Sequence, residues 1–453
     1  MTKSVHIIGG GLAGSECAFQ LANFGFKVFL YEMRKKGVST PAHKTEKLAE
    51  LVCSNSFGSL TDYSAPGQLK WEAEELNSVV LESAKHNHVP SGMALGVDRE
   101  RFSEQMNEKL LGHPNITIKD EVVTDWKQLD GYKVIATGPL THPDLASNMA
   151  KHFGEGFLYF YDAIAPIIDV DSVNMDICFM ADRYGAGTKD YINCPMSKDE
   201  YFGFINAIKE AKKMEFKDFE KTQYFDGCMP IEAIVERGDQ TLRFGPLSGK
   251  GLNNSHYPEE DMRNRPYAVL QLRQDNQEAT AYNMVGCQTK MTYPEQKRVF
   301  KMVPGLEEAE FLKLGSIHKN MFINSPKVLN KDLSSKNDPS LFFAGQLTGV
   351  EGYFESTCTG LMVAHFIRQR ELDMTFTPPP RETAFGSILN FLNTERDNYQ
   401  PMNINFSLIP PQVLTNEEKK EIKKKADQKR MRRDKALRVA KEHLTPWIQS
   451  LSL

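Results

Sequence analysis

Residues 5–32, VHIIGGGLAGSECAFQLANFGFKVFLYE, constrain the fold of this chain more than any other stretch. An apolar run at 5–8 has the length of a short strand. Ala13, Cys17, Ala18 and Leu21 recur at helical spacing, Gly25 ends the helix, and residues 28–31 form a second strand. Between strand and helix lies Gly9-Gly10-Gly11-Leu12-Ala13-Gly14, which satisfies G-x-G-x-x-G. Gly9 permits the tight turn, Gly11 lets a pyrophosphate approach the backbone, and Gly14 lets helix and strand pack closely, with the phosphate charge at the helix N-terminus. Glu32 ends the second strand, where a carboxylate accepts from ribose hydroxyls. The expected ligand is a dinucleotide with a free ribose 2'-hydroxyl.

Two distant segments extend this unit. Residues 133–138, KVIATG, are a strand ending in Ala-Thr-Gly. Residues 341–344 form another strand, followed by Gly345-Gln346, a loop with Gly349, Gly352 and Tyr353, and a helix from about Ser356. A second helix N-terminus at the same sheet suits FAD better than NAD. The layout is similar to that of α/β flavoproteins of the two-dinucleotide-fold type. It gives a Rossmann-like FAD domain at 1–165 and 315–375, split by an α+β insertion at 166–314 that carries the substrate side.

Beyond residue 375 three consecutive prolines, Pro378 to Pro380, mark 376–415 as an extended link. Residues 416–453 then form a basic helical tail with a thin stripe of Ile422, Ala426, Leu437, Ala440 and Leu444. It is either a solvated helix or a local phosphate-binding surface. With 453 residues and a formal net charge of -4, the chain has no global basic field, so nucleic acid must be met by local patches. It shows no signal-type or membrane-spanning apolar run, and we read it as cytoplasmic.

Seven cysteines, Cys17, Cys53, Cys178, Cys194, Cys228, Cys287 and Cys358, contain no C-x-x-C pair, which argues against a disulfide framework, a zinc site and a dithiol reductase. Cys17, Cys178 and Cys287 fall in apolar patterns and read as packing residues. Cys228, in DGCMPIE, follows Gly227 and precedes Pro230. Cys53, in LVCSNSF, is flanked by small polar residues. On spacing alone either is an inert thiol or a nucleophile.

VHIIGGGLAGSECAFQLA, AELVCSNSF, FDGCMPIE, LRFGPL, YNMVGCQT and AGQLTGVEGYFES, in this order over residues 1 to about 400, resemble the folate- and FAD-dependent tRNA (uracil-5-)-methyltransferases, relatives of the larger GidA flavoproteins. The resemblance implies transfer of a one-carbon unit from methylenetetrahydrofolate to C5 of a uridine in the tRNA T-loop, with NADPH or NADH as reductant through FAD. It implies that Cys228 attacks the uracil and that Cys53 lies beside the flavin and controls the one-carbon unit there. Tyr353 is placed to stack on the flavin or another bound ring, or is a core tyrosine. Arg243 and Lys250 are candidates for folate glutamate or RNA phosphate, or are solvated. Uracil C5 becomes nucleophilic once a thiolate adds at C6, which is why this chemistry needs a cysteine. The alternatives are the same chemistry on ribosomal RNA, the wobble-uridine reaction of the GidA relatives, an RNA-independent flavin oxidoreductase, and a non-catalytic RNA-binding flavoprotein.

Overall fold

The computed structural model describes residues 3–38, 40, 42–154, 158–185, 188–214, 224, 229–397, 399–415, 417–418, 422 and 425–451. Five parallel strands form the first sheet, in the order Leu341–Phe343, Tyr132–Ile135, Ser4–Ile8, Lys27–Tyr31, Ile116–Lys119. Parallel strands covered on both faces bury nearly every apolar residue, and Val5, Ile7, Val28, Leu30, Val134, Ile135, Phe342 and Phe343 are fully buried. The helix Leu12–Asn23 follows the first strand and packs on the helix Tyr353–Glu371. A side-chain carbon at Gly360 would stand 2.1 Å from the Ala13 carbonyl oxygen, so only glycine lets these two helices meet there. At the turn itself, a carbon on Gly14 would lie 1.9 Å from the Gly9 oxygen.

The chain leaves this unit along Leu158–Ala163 and returns antiparallel to it along Ile317–Phe322. Between them lies a six-stranded sheet whose pairings are all antiparallel, in the order Phe179–Met180, Tyr191–Met196, Ala268–Gln274, Ala281–Met284, Ile167–Asp169, Phe311–Lys313. It has its own core with the helices Lys198–Glu210, Ile231–Glu236 and Tyr293–Phe300, built on Tyr201, Phe204, Ile231, Leu270 and Phe300. The chain is thus an α/β protein with a parallel dinucleotide-type sheet and an α+β insertion.

The extended link read at 376–415 is corrected. The helix Ala384–Asn393 lies inside it, with Ala384, Phe385, Ile388, Leu389, Phe391 and Leu392 buried in the core of the first unit. The three prolines stand before the helix, and the Thr383 side chain caps it by accepting from the Gly386 N–H at 2.9 Å. Tyr399, further on, is buried and donates its hydroxyl to the Thr348 carbonyl at 2.8 Å. The apolar spacing of this helix, rather than the proline run, decides how the segment behaves.

The helix Lys425–Ser450 lies along the same unit. Of the stripe noted in the sequence, Ala440 and Leu444 are buried and Leu437 is half-buried, and Ala436, Trp447 and Leu451 join them inside. The Trp447 indole donates to the Thr377 carbonyl at 3.0 Å, and the Arg368 guanidinium to that of Leu451 at 2.8 Å. Among the described residues no helix is long and apolar enough to cross a membrane.

Candidate functional site

At the carboxyl ends of the parallel strands an open cleft is lined by Gly9, Gly10, Gly11, Leu12, Ala13, Glu32, Gly345, Gln346 and Tyr353. It shares Val52, Pro139, Leu140, Gln346 and Tyr353 with a second recess of about 400 Å³, whose wall also carries Cys53 and Gly352. Gly14 and Gly349 stand behind the lining. Gly14 sits at the helix–strand contact, and Gly349 (φ +96°) lies against the Tyr399 ring. Cys228 lies outside the described residues.

The cleft's shape follows from its turns. The helices Leu12–Asn23 and Tyr353–Glu371 both begin at a glycine, Gly11 and Gly352, and neither has a side-chain cap. The first N-terminus therefore turns its opening N–H groups and the positive end of the helix dipole toward this space, while at the second the buried Glu355 carboxylate lies against Gly352 and accepts from its own N–H. Space is open within 4 Å of the position a side-chain carbon would take on Gly11. A dinucleotide fits these features: its pyrophosphate at the first helix start, with room for close approach at Gly11, and its ring end toward the second recess.

Glu32 is buried, and its carboxylate is already engaged by the protein. One oxygen accepts from the Gly10 N–H at 3.2 Å and from Arg34 at 2.9 Å; the other accepts from the Arg34 N–H at 3.1 Å and its Nε at 2.9 Å. Burial pushes this carboxyl up, but the Arg34 contacts outweigh that and hold it below the usual range. Arg34 also donates to Glu50 at 3.1 Å, tying the loop before Cys53 to the ribose end of the cleft. His43, on the same wall, is held at about 4 by burial and by the positive charge of Arg34, and so stays neutral. Arg34, His43 and Glu50 were not among the residues picked from the sequence, although Arg34 stands two places after the expected acid. Thr137 and Gly138 also line the cleft, and their Ala-Thr-Gly setting at a strand end was the available signal.

Among the described residues Cys53 is the half-buried thiol, while Cys17, Cys178, Cys194, Cys287 and Cys358 are fully buried. Burial pushes the Cys17, Cys194, Cys287 and Cys358 thiols up, as expected for packing residues. The Cys53 N–H donates to the Tyr353 hydroxyl at 2.6 Å, so Tyr353 reaches across the junction of the two recesses to hold the cysteine backbone. Arg99 donates to the carbonyls of Leu51 (3.2 Å) and Cys53 (3.1 Å) and forms a two-pronged pair with Asp275 of the insertion, at 2.9 Å on both sides. Lys313, from the last strand of the insertion, donates to the intervening Val52 carbonyl at 3.2 Å. Burial and the neighbouring Arg99 and Lys44 charges bring its ammonium down to about 8.

Of the FDGCMPIE motif, the part after residue 228 is described and firmly held. The Ile231 N–H donates to the Gln288 carbonyl at 2.7 Å. Buried Glu232 accepts from the Thr289 hydroxyl and from the N–H groups of Lys290 (3.1 Å) and Met291 (3.0 Å). Arg243 and Lys250 lie elsewhere in the insertion, on a third groove.

Known proteins agree with this architecture. Residues 4–374 match the family model "Glucose inhibited division protein A". A protein of Bdellovibrio bacteriovorus, named methylenetetrahydrofolate--tRNA-(uracil-5-)-methyltransferase TrmFO, is 59% identical over 447 residues, covering 98% of each chain. A Bartonella bacilliformis protein of the same name is 47% identical over 463 residues, covering 99% of this chain and 98% of its own. The solved structure of Aquifex aeolicus GidA, in its form II crystal, superposes with a TM-score of 0.68 at 15% identity over 99% of this chain and 73% of that one, a likeness of fold. A match over most of the chain and identities of this size place it in the TrmFO group of the glucose-inhibited division protein A family.

Proposed function

We infer that this chain is a methylenetetrahydrofolate-dependent tRNA (uracil-5-)-methyltransferase, a flavoprotein that places a methyl group on C5 of a uridine. The observation that carries the reading at the site is Cys53. It is the half-buried thiol among the described cysteines, and it opens on a recess continuous with a dinucleotide cleft. FAD supplies the redox and one-carbon chemistry when bound. Gly9 to Ala13 with Glu32 would hold its adenosine diphosphate part, and Gly345, Gln346, Gly352 and Tyr353 its far end. Because the Tyr353 hydroxyl already accepts from the Cys53 N–H, its ring is set at the junction where the flavin end would lie.

Cys228 is the thiol proposed to add to uracil C6. The new C–S bond pushes the ring electrons into an enolate, C5 bonds to the one-carbon unit as that carbon's bond to its donor nitrogen breaks, loss of the C5 proton expels the thiolate, and a two-electron reduction turns the methylene into methyl. Reducing equivalents come from NADPH or NADH, and the target lies in the T-loop. No membrane partner enters this reading, and the setting is cytoplasmic.

The test is one assay with purified protein, methylenetetrahydrofolate labelled in its one-carbon unit, NADPH and unmodified tRNA or ribosomal RNA transcripts. Label should appear at C5 of a T-loop uridine and be lost with Cys228→Ala. Label in ribosomal RNA alone would move the target, and label in no RNA would end the methyltransferase reading.

A further inference from the structure

A broad groove lies in the insertion, lined by none of the residues of the flavin cleft. It has a volume of about 1170 Å³, and its wall carries five basic residues, Lys198, Arg243, Lys250, Arg263 and Arg265, against two acids, Asp176 and Glu200. Its position follows from the sheet. Arg273, near one end of the strand Ala268–Gln274, donates to Asn55 of the first unit. The other end of that strand continues from Pro266 and Tyr267, which line the groove. Six steps of about 3.4 Å put roughly 20 Å between the two ends, so the groove is separate from the site of Cys53.

Its charges are arranged for an external anion. Lys198, Lys250 and Arg265 are exposed and make no ion pair among the described residues. Lys250 stands on a loop whose carbonyls are held from behind, because Arg183 donates to the oxygens of Ser248 and Lys250. The Arg243 guanidinium lies 4.0 Å from the Tyr267 ring centre and 5.2 Å from that of Phe244, and its Nε donates to the Tyr267 carbonyl at 3.0 Å. Stacking on both rings fixes its plane. Phe244 is 75% exposed and Met262 91% exposed, so apolar surface stands open beside the cations. A small anion needs one or two of these groups. A row of cations interleaved with exposed apolar side chains matches a nucleic acid strand, whose phosphates and base faces alternate.

We propose that this groove is a second RNA site, which grips the sugar-phosphate backbone of the tRNA away from the target uridine. The inference rests on the tRNA reading of the flavin site and adds a location to it. Residues on the far end of the insertion then carry part of the affinity for the whole RNA, while the cleft selects the base.

Fluorescence anisotropy of an end-labelled, unmodified tRNA transcript across a salt series tests it, with the double variant Lys250→Gln/Arg265→Gln. Both side chains are exposed, so flavin absorbance and thermal midpoint should match wild type and certify the fold. Removal of two phosphate contacts should raise Kd about tenfold near 0.15 M salt and lower the slope of log K against log salt by about 1.5 to 2. KM for tRNA should rise in step. Phe244→Ala should weaken binding without changing that slope. Wild-type Kd and slope in the double variant, with normal tRNA binding by the parent enzyme, would overturn the groove alone. Failure of the parent enzyme to bind tRNA would overturn the tRNA reading and the groove with it.

Discussion

Three consecutive carbonyls, of Leu51, Val52 and Cys53, accept from two cations, Arg99 and Lys313, and the Cys53 N–H is taken by Tyr353. The thiol is thus positioned through its backbone from three directions, all of them distant in the chain. Lys313 is 261 residues from Val52 and Tyr353 is 300 from Cys53. A hydrogen bond from a charged donor contributes roughly 1.5–3 kcal/mol, but burying the ammonium costs a comparable amount. Lys313→Met should therefore leave the thermal midpoint within a few degrees of wild type. It should free the Val52 carbonyl, lower methyl transfer about tenfold, and change the alkylation rate of Cys53 measured by peptide mapping. Wild-type turnover and alkylation would reduce Lys313 to a filler of space. The cysteine motif was visible in the chain, but nothing near it in sequence named Arg99 or Lys313, since neither lies within the reach of a local pattern.

At the scale of elements, buried carboxylates serve as helix caps across the fold. Glu72, fully buried, accepts from the N–H groups of Ala384 (2.7 Å) and Phe385 (2.9 Å), the first residues of a helix 312 positions away. Burial pushes its carboxyl up to about 7, with the two N–H groups and Gln68 opposing. The folded state therefore keeps a proton between pH 4.5 and about 7 that the unfolded chain has released, and unfolding releases it. The contribution of Glu72 to stability falls as pH rises through that window. Glu72→Gln cannot titrate. The stability of wild type relative to this variant, from denaturant melts, should decline by a few kcal/mol from pH 4.5 to 7, at up to about 1.4 kcal/mol per pH unit. A constant difference would reject the assignment. This cap is also why the 376–415 segment departs from an extended link: the prolines are legible in the chain, while the partner that anchors the following helix lies at position 72.

For the molecule as a whole, the tail helix is part of the first unit's core as well as a carrier of charge. Arg430 and Arg433 face the rings of Tyr63 and Phe406 at 5.5 and 4.8 Å, and Lys441 faces Trp71 at 5.1 Å, so several of its cations already lie on aromatic faces of this protein. Truncation after Pro411 would uncover the surface beneath Leu444, Trp447 and Leu451. At roughly 1.5–3 kcal/mol for each large apolar side chain returned to water, it should cost 5 kcal/mol or more. Flavin release, followed by fluorescence on heating, should come many degrees earlier. An unchanged release temperature would show that the tail adds nothing to the core. By itself the sequence determined the nucleotide-binding turn, the parallel sheet and the existence of an insertion, because glycine spacing and apolar periodicity act over a few residues. Only the tertiary structure decided that Cys53 opens on the recess beside the cleft, that distant cations hold it, that the proline segment docks as a helix and that the basic groove lies at the far end of the insertion. Those depend on contacts between residues hundreds of positions apart, whose free energy no local pattern records.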